Sequence, residues 1–490
     1  MITKISSRIM NIGTIQRHGM ITLFWQLVLT AIGFLSTMYF AHAVGASVLG
    51  AFYLFMAYWS ILDLALDGGL GGAAIKRISE GEEEEAYFSA FFVLRSIFIF
   101  IILFALIAFK KFFVDLSSSG LFGWLLLMLI INGIFGTVSV GISGRRKMGV
   151  RSSCNAITNI SIILFQITGV FLGYGVEGLA GGTMAGLFVG GIIEYHFFDL
   201  HFARFTWQHI KSLFIFSFWI FLTSAGVLVF LQADIVLVGY FLENSDVGVY
   251  KVVSGLTMAA TFITYSLRAI LWPSVSHWGK KGEIYKVNES LSRAISYSLL
   301  LAIPVFIGGV LLGDKLLYFF YGTEFTRGYS VLVIMLAVQI VNIFQYFFTM
   351  YLDALNHPKE SFKVTAFAAS ANILLDIILI PIFGIEGAAI ATFASMILNA
   401  LLAHRALSGL MVIHVEKQSL CNILKASLVM CLIVIVYRMF VPISSIWLVL
   451  FPVLLGGGIF GVLIIKLDKK MHGNLKEIVT QAGLRWPEWI

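Results

Sequence analysis

Charge is what this chain has least of. Only 12% of its 490 residues are Asp, Glu, Lys or Arg, while 59% are hydrophobic; a soluble globular protein carries roughly 25% charged residues. A folded soluble chain keeps a charged skin around its core, and too little charge is present here to supply one. That excludes an ordinary soluble enzyme, a disordered chain and a nucleic-acid-binding module. Cysteine is scarce as well. Cys154, Cys421 and Cys431 all lie in apolar runs, with no CxxC and no Cys/His cluster, so neither a disulfide framework nor a structural zinc site is expected. The stretch Gly68-Gly69-Leu70-Gly71-Gly72 lacks the Lys-Ser/Thr that completes a phosphate-binding loop, which excludes ATP hydrolysis of that kind. Long polar loops are missing too. The longest are 70–85, with its Glu82–Glu85 run, 274–290, 407–420 and the C-terminal tail. None can hold a folded domain, so function is expected to reside within the membrane.

What is present is a series of apolar runs. Fourteen spans are predicted: 20–42, 48–69, 86–108, 121–143, 153–173, 177–199, 212–240, 247–273, 291–313, 328–354, 362–383, 386–406, 421–440 and 445–465. Each is long enough for a hydrocarbon core of about 30 Å. The runs are continuous rather than alternating, which predicts helices and not barrel strands. Met20 to Phe40 exceeds the length of a signal-peptide core, so a retained first span is expected. With the N-terminus assigned to the cytoplasm, 25 Lys and Arg fall on the cytoplasmic side and five on the other. That asymmetry predicts cytoplasmic termini and accounts for the net charge of +7 without a nucleic-acid partner.

The chain also repeats itself. Residues 175–185, GVEGLAGGTMA, match 384–394, GIEGAAIATFA, at six of eleven positions. A weaker echo joins Ser47–Phe52 to Ser245–Tyr250. Each copy falls at the same place in a six-span set, which predicts two parallel six-helix lobes plus two extra helices; repeats of this kind are common in secondary transporters. The expected layout is an amphipathic segment 1–19, a first lobe 20–199, a linker 200–211, a second lobe 212–406, two helices within 421–465 and a cytoplasmic tail 466–490.

This plan resembles the multidrug/oligosaccharidyl-lipid/polysaccharide exporter superfamily, and within it the Wzx-type polysaccharide flippases. Four stretches carry the resemblance: Leu64–Leu70 with Asp67-Gly68, Ile270–Ser276 (ILWPSVS), Tyr321–Phe325, and Asn372–Ala389 running through LLDIILIPIFGIEGAA. The resemblance implies an all-α, MATE-like polytopic membrane protein. It implies a flippase, not an enzyme, that moves a polyprenyl-pyrophosphate-linked oligosaccharide across the cytoplasmic membrane by alternating access. No cofactor is implied beyond H⁺ or Na⁺ coupling. The partners would be the lipid-linked oligosaccharide, membrane lipid and other polysaccharide-assembly proteins, around a monomer. A cation-coupled multidrug exporter of the same superfamily and a membrane-embedded polymerase or ligase are the competing readings. Short outer loops disfavour the last.

Ionisable residues at depth are the candidates for chemistry, since each costs about 2.5–3.5 kcal/mol at the bilayer centre and should face a partner or a wet cavity. They are Asp63, Arg95, Asp234, Lys251, Arg268 and Asp376, with Asp67 near a helix end. Depth counted at 1.5 Å per residue pairs Asp63 with Arg95 and Asp234 with Lys251, as fixed ion pairs or as a working site. In the working reading, Arg95, Arg268 and Lys251 hold a pyrophosphate head group, because guanidinium meets phosphate oxygens bidentately. Asp63, Asp67 and Asp234 then serve ion coupling or charge pairing. Asp376, four residues after Asn372 and five before Pro381, is read as packing.

Overall fold

A computed structural model describes residues 14–112, 120–413, 416–468 and 472–473. Among them there is no β-strand. The α-helices are α1 Thr14–Asp67, α2 Leu70–Ser79, α3 Glu84–Ala108, α4 Leu121–Gly144, α5 Met148–Phe171, α6 Gly175–His196, α7 Trp207–Phe241, α8 Asn244–Thr257, α9 Phe262–Lys280, α10 Ile284–Tyr321, α11 Tyr329–Ala354, α12 Pro358–Phe383, α13 Ile385–Ser408, α14 Lys417–Phe440 and α15 Ile446–Leu467. Twelve helical stretches among the described residues are long and apolar enough to cross a membrane, so the protein is an all-helical, multi-pass membrane protein. The first of the twelve, Val28–Asp67, is 40 residues long, about 60 Å as an unbroken rod. It is not one rod: Gly45 has φ 77° and ψ 178°, a conformation essentially reserved for glycine. The predicted spans 20–42 and 48–69 fall on either side of it. The segments 1–13 and 474–490, which hold most of the expected amphipathic N-terminus and tail, lie outside the described residues.

The chain forms two compact units, Met1–Val236 and Leu237–Ile490. In the first, α2 buries Leu70, Ala73, Ala74 and Ile78, a helical i, i+3, i+4, i+8 stripe. This stripe joins a core with Phe88, Phe91 and Leu94 of α3 and with Leu200 and Leu213. The 200–213 segment, which contains the expected linker 200–211, is therefore tied down at both ends. Ala203 N–H donates to Ser89 Oγ at 2.8 Å, and Phe198 packs on Phe88 with ring centroids 5.1 Å apart. At the start of α7, Thr206 N–H donates to His209 Nδ1 at 3.0 Å, and His209 Nε2 lies 3.0 Å from Glu83 Oε2. Gly69, with φ 78°, lets the α1–α2 turn press against the backbone of Ser217 and Phe221. These contacts explain why the first unit extends into α7 rather than ending in the 200–211 segment.

The second unit comprises the end of α7 and α8–α15. Its core is built on fully buried Phe325, Phe347 and Tyr351. The sequence repeat has a physical role in each unit. A β-carbon on Gly178 of α6 would lie 2.7 Å from the backbone of Gly169 on α5. One on Gly387 of α13, the matching position, would collide with the backbone of Leu379 and Ile380 on α12. Both glycines permit backbone-to-backbone contact within a helical hairpin, the use of small residues expected in membrane helices. The matched Thr183 and Thr392 each donate to the carbonyl four residues earlier, at 2.8 and 3.0 Å.

Candidate functional site

In the first unit, Asp63, Asp67 and Arg95 are linked through Asn132. Gly68 and Gly69, with φ 55° and 78°, end α1 and turn the chain so that Asp67 accepts from Gly71 N–H at 3.1 and 3.2 Å. This fixes the Asp67 carboxylate at the α1–α2 corner. Arg95 reaches it from α3, with Nη1 3.4 Å from Asp67 Oδ1, and donates to the Asn132 carbonyl at 3.4 Å. Arg95 is 4% exposed, and its guanidinium carbon lies 5.7 Å from the Phe91 ring centroid. Gly136 provides the space, because a β-carbon there would sit 2.7 Å from Arg95 Nη2. Asp63, one turn before Asp67, instead accepts from Asn132 Nδ2 at 2.5 Å. The depth argument that paired Asp63 with Arg95 is thus corrected: the guanidinium bridges to Asp67, and a neutral amide takes Asp63. Depth counting finds residues at one level but cannot see a cap that orients one carboxylate.

A second buried pair escaped the sequence reading. Glu194 of α6 is 3% exposed. It accepts from Arg151 of α5 and from Ser139 of α4, locking three helices together. Arg151 was counted among the loop cations, yet Glu194 inside GGIIEYH signalled a need for a partner. Asp234 of α7 is also buried. It belongs to the first unit, whereas Lys251, half-buried on α8, belongs to the second.

The second unit holds Arg268 in a different setting. It is half-buried on α9, between Tyr346 of α11 at 4.7 Å and Trp272 at 5.5 Å from its guanidinium carbon. Tyr265 meets Tyr346 edge-on at 4.9 Å. Tyr265, Arg268, Trp272 and Pro273 line an open cavity of about 400 Å³. Arg268 makes no salt bridge within 4 Å among the described residues, although the Asp353 carboxylate of α11 lies within its electrostatic reach. The guanidinium hydrogen-bonds the Tyr346 side chain, and with five N–H donors in its fork it retains others with which this arrangement can receive a phosphate. The cage residues Tyr265 and Tyr346 were missed because aromatics in an apolar helix read as core. A clue was available on α11, where Asn342, Tyr346, Thr349 and Asp353 recur at helical spacing. Lys251 and Arg268 thus share one unit, and Arg95 lies in the other. Asp376 and Asn372 of α12 are buried at 0% and 1% exposure, facing the interior.

Comparisons with known proteins agree with this architecture. A family model described as polysaccharide biosynthesis protein matches residues 22–329. The chain is 28% identical over 412 residues to the probable low-salt glycan biosynthesis flippase Agl15 of Haloferax volcanii, covering 84% of this chain and 87% of that one. It is 26% identical over 462 residues to the probable flippase AglR of the same organism, covering 92% and 96%. Among solved structures, the lipid II flippase MurJ in an inward closed conformation superposes with a TM-score of 0.77 at 18% identity, covering 92% of this chain and 99% of that one. An inward-facing multidrug resistance MATE transporter of the MOP superfamily gives 0.67 at 14% identity, covering 78% and 95%. The two solved structures establish the fold. With the family match, they lead to one conclusion: the chain has this fold and belongs to the polysaccharide biosynthesis protein family.

Proposed function

We propose that the protein flips a polyprenyl-pyrophosphate-linked oligosaccharide across the cytoplasmic membrane, by alternating access of two six-helix lobes, to supply cell-surface polysaccharide biosynthesis. The observation that carries the reading is Arg268, held against Tyr346 and Trp272 at the wall of an open cavity, with Asp353 in electrostatic reach but no direct salt bridge among the described residues. A half-buried guanidinium that makes no direct salt bridge keeps donors for a visiting anion. Lys251 is the second cation in the same unit. Arg95, in contrast, is buried and paired, so it holds Asp67 in place. Asp63 and Asp234 are the carboxylates at depth through which H⁺ or Na⁺ would couple the gradient to the cycle, with both termini cytoplasmic. The names of the relatives, one a probable glycan biosynthesis flippase and the other a probable flippase, support the same substrate class, and the resemblance to the MATE fold keeps organic-cation export as the second reading.

Reconstitution in liposomes with a fluorescent polyprenyl-diphosphate oligosaccharide tests this. Arg268→Ala should slow translocation about tenfold or more, as expected for loss of a charge-assisted contact. Full-rate transport by that variant removes the head-group role. Export of an organic cation with no movement of the glycan lipid favours the second reading.

A further inference from the structure

α9 and α10 form a hairpin around Gly282, whose φ of 72° makes the turn. Lys281, Gly282 and Glu283 donate backbone bonds to His277, Gly279 and Trp278 at 3.0–3.2 Å and close it. Residues equally far from Gly282 face each other across the hairpin: Trp278 with Lys286, Leu271 with Arg293, and Leu267 with Tyr297. These six, with Glu289, Ser290 and Ala294, line a cleft of about 400 Å³. Its back wall is sealed by the buried Ser290–Tyr351 hydrogen bond of 2.8 Å. From the fourth residue beyond the turn to the fifteenth the cleft runs about 16 Å along the helices. Its lining is graded, with Lys286 and Trp278 at the turn end, Arg293 midway, and Leu267 and Tyr297 at the far end.

This is not the Arg268 pocket. Leu267, Leu271 and Trp278 lie on one face of α9, while Tyr265, Arg268 and Trp272 lie on another. Around the turn, within residues 275–293, four cations, Lys280, Lys281, Lys286 and Arg293, stand against two carboxylates, Glu283 and Glu289. Lys286 pairs with Glu283 at 2.8 Å and Arg293 with Glu289 at 2.5 Å, but both cations remain more than half exposed. Their long stems can redirect the charged ends to a ligand. A net-positive mouth, an aromatic wall and an apolar floor together match one chemistry.

We propose that this cleft binds one anionic phospholipid of the bilayer, with the phosphate at Lys286 and Arg293 and an acyl chain along Leu271 and Leu267. The site is independent of the transport reading, since it needs no glycan lipid. Trp278 reports on it directly. The full chain is placed in nanodiscs of phosphatidylcholine with a minor fraction of either brominated phosphatidylglycerol or brominated phosphatidylcholine. The Trp278 signal is taken as the difference between wild type and Trp278→Phe. Brominated phosphatidylglycerol should quench it at a concentration about fivefold lower than the neutral lipid, the effect of one uncompensated basic residue near anionic lipid. Lys286→Gln with Arg293→Gln should bring the two lipids to parity. Glu289→Gln, which frees Arg293 from its carboxylate, should widen the preference, an outcome that misfolding would not produce. Equal quenching by both lipids in the wild type, or a preference that survives the double substitution, overturns the assignment.

Discussion

Arg95→Ala separates a structural role for this residue from a ligand-binding one. The substitution leaves Asp67 without its cation while the Gly71 cap holds the carboxylate in place. Breaking a buried ion pair by removing one partner costs about 3–5 kcal/mol. The Asp67 side chain keeps 26% of its surface exposed, so the lower end applies, about 3 kcal/mol. For a unit of this size, each kcal/mol moves the midpoint by about 2–4 °C, which predicts a drop of about 6–12 °C. Asp67→Asn should cost less, because an asparagine still caps α2, although Arg95 loses its countercharge. The double variant, Arg95→Met with Asp67→Asn, removes both charges and should recover more than half of the loss. Thermal unfolding of the purified protein in detergent, followed by tryptophan fluorescence, measures all three. Transport assayed on the same preparations gives the second coordinate. If Arg95→Ala unfolds within 2 °C of wild type yet loses transport, the guanidinium meets substrate, and the account of it as an internal tie is wrong.

The Arg151–Glu194 pair predicts an asymmetry: Arg151→Ala should destabilise more than Glu194→Ala, because it strands a carboxylate that is 3% exposed rather than an arginine a third exposed, and the larger loss should reach about 3 kcal/mol. Equal melting temperatures for the two variants would count against a buried pair. Gly178→Val and Gly387→Val each push a side chain into backbone and should cost about 1–3 kcal/mol by overpacking, whereas Gly308→Ala, with nothing within 4 Å of its β-carbon, should be near neutral; detergent melting curves compare them. Lys147 donates to Asp199 at 2.8 Å with Arg145 3.8 Å away, and this contact, aided by the nearby cations, holds the Asp199 carboxyl below its usual range. The stabilisation is therefore complete above about pH 4 and is lost as pH falls through the lower folded value. Asp199→Asn should flatten that acid limb in a melting-temperature series, by a small amount because the side chain is half exposed.

The apolar runs made the membrane spans legible, since burial in lipid constrains every residue along about 20 positions. They even marked the break at Gly45, by separating 20–42 from 48–69. The acids and bases at depth were legible as well, because each is expensive there. Their partners were not. Asp63 is satisfied by Asn132 and Arg95 in part by a carbonyl, and neither an amide nor a backbone oxygen stands out in a hydropathy pattern. Arg151 was hidden by its position near a span end, where a cation is usually solvated. The aromatic setting of Arg268 was hidden because Tyr265 and Tyr346 lie about 80 residues apart and no local period links them.

The break at Gly45 makes chain length act as an angle. Each residue of a helix advances the side chains by about 100°, and Asp63 and Asp67 follow Gly45 along α1 with no loop to absorb an error. Inserting one residue between Gly45 and Asp63 would rotate both carboxylates a quarter-turn and more away from Asn132 and Arg95. Four added residues would nearly restore their phase, shifted by one turn along the axis. Indels here should therefore be tolerated by phase rather than by size.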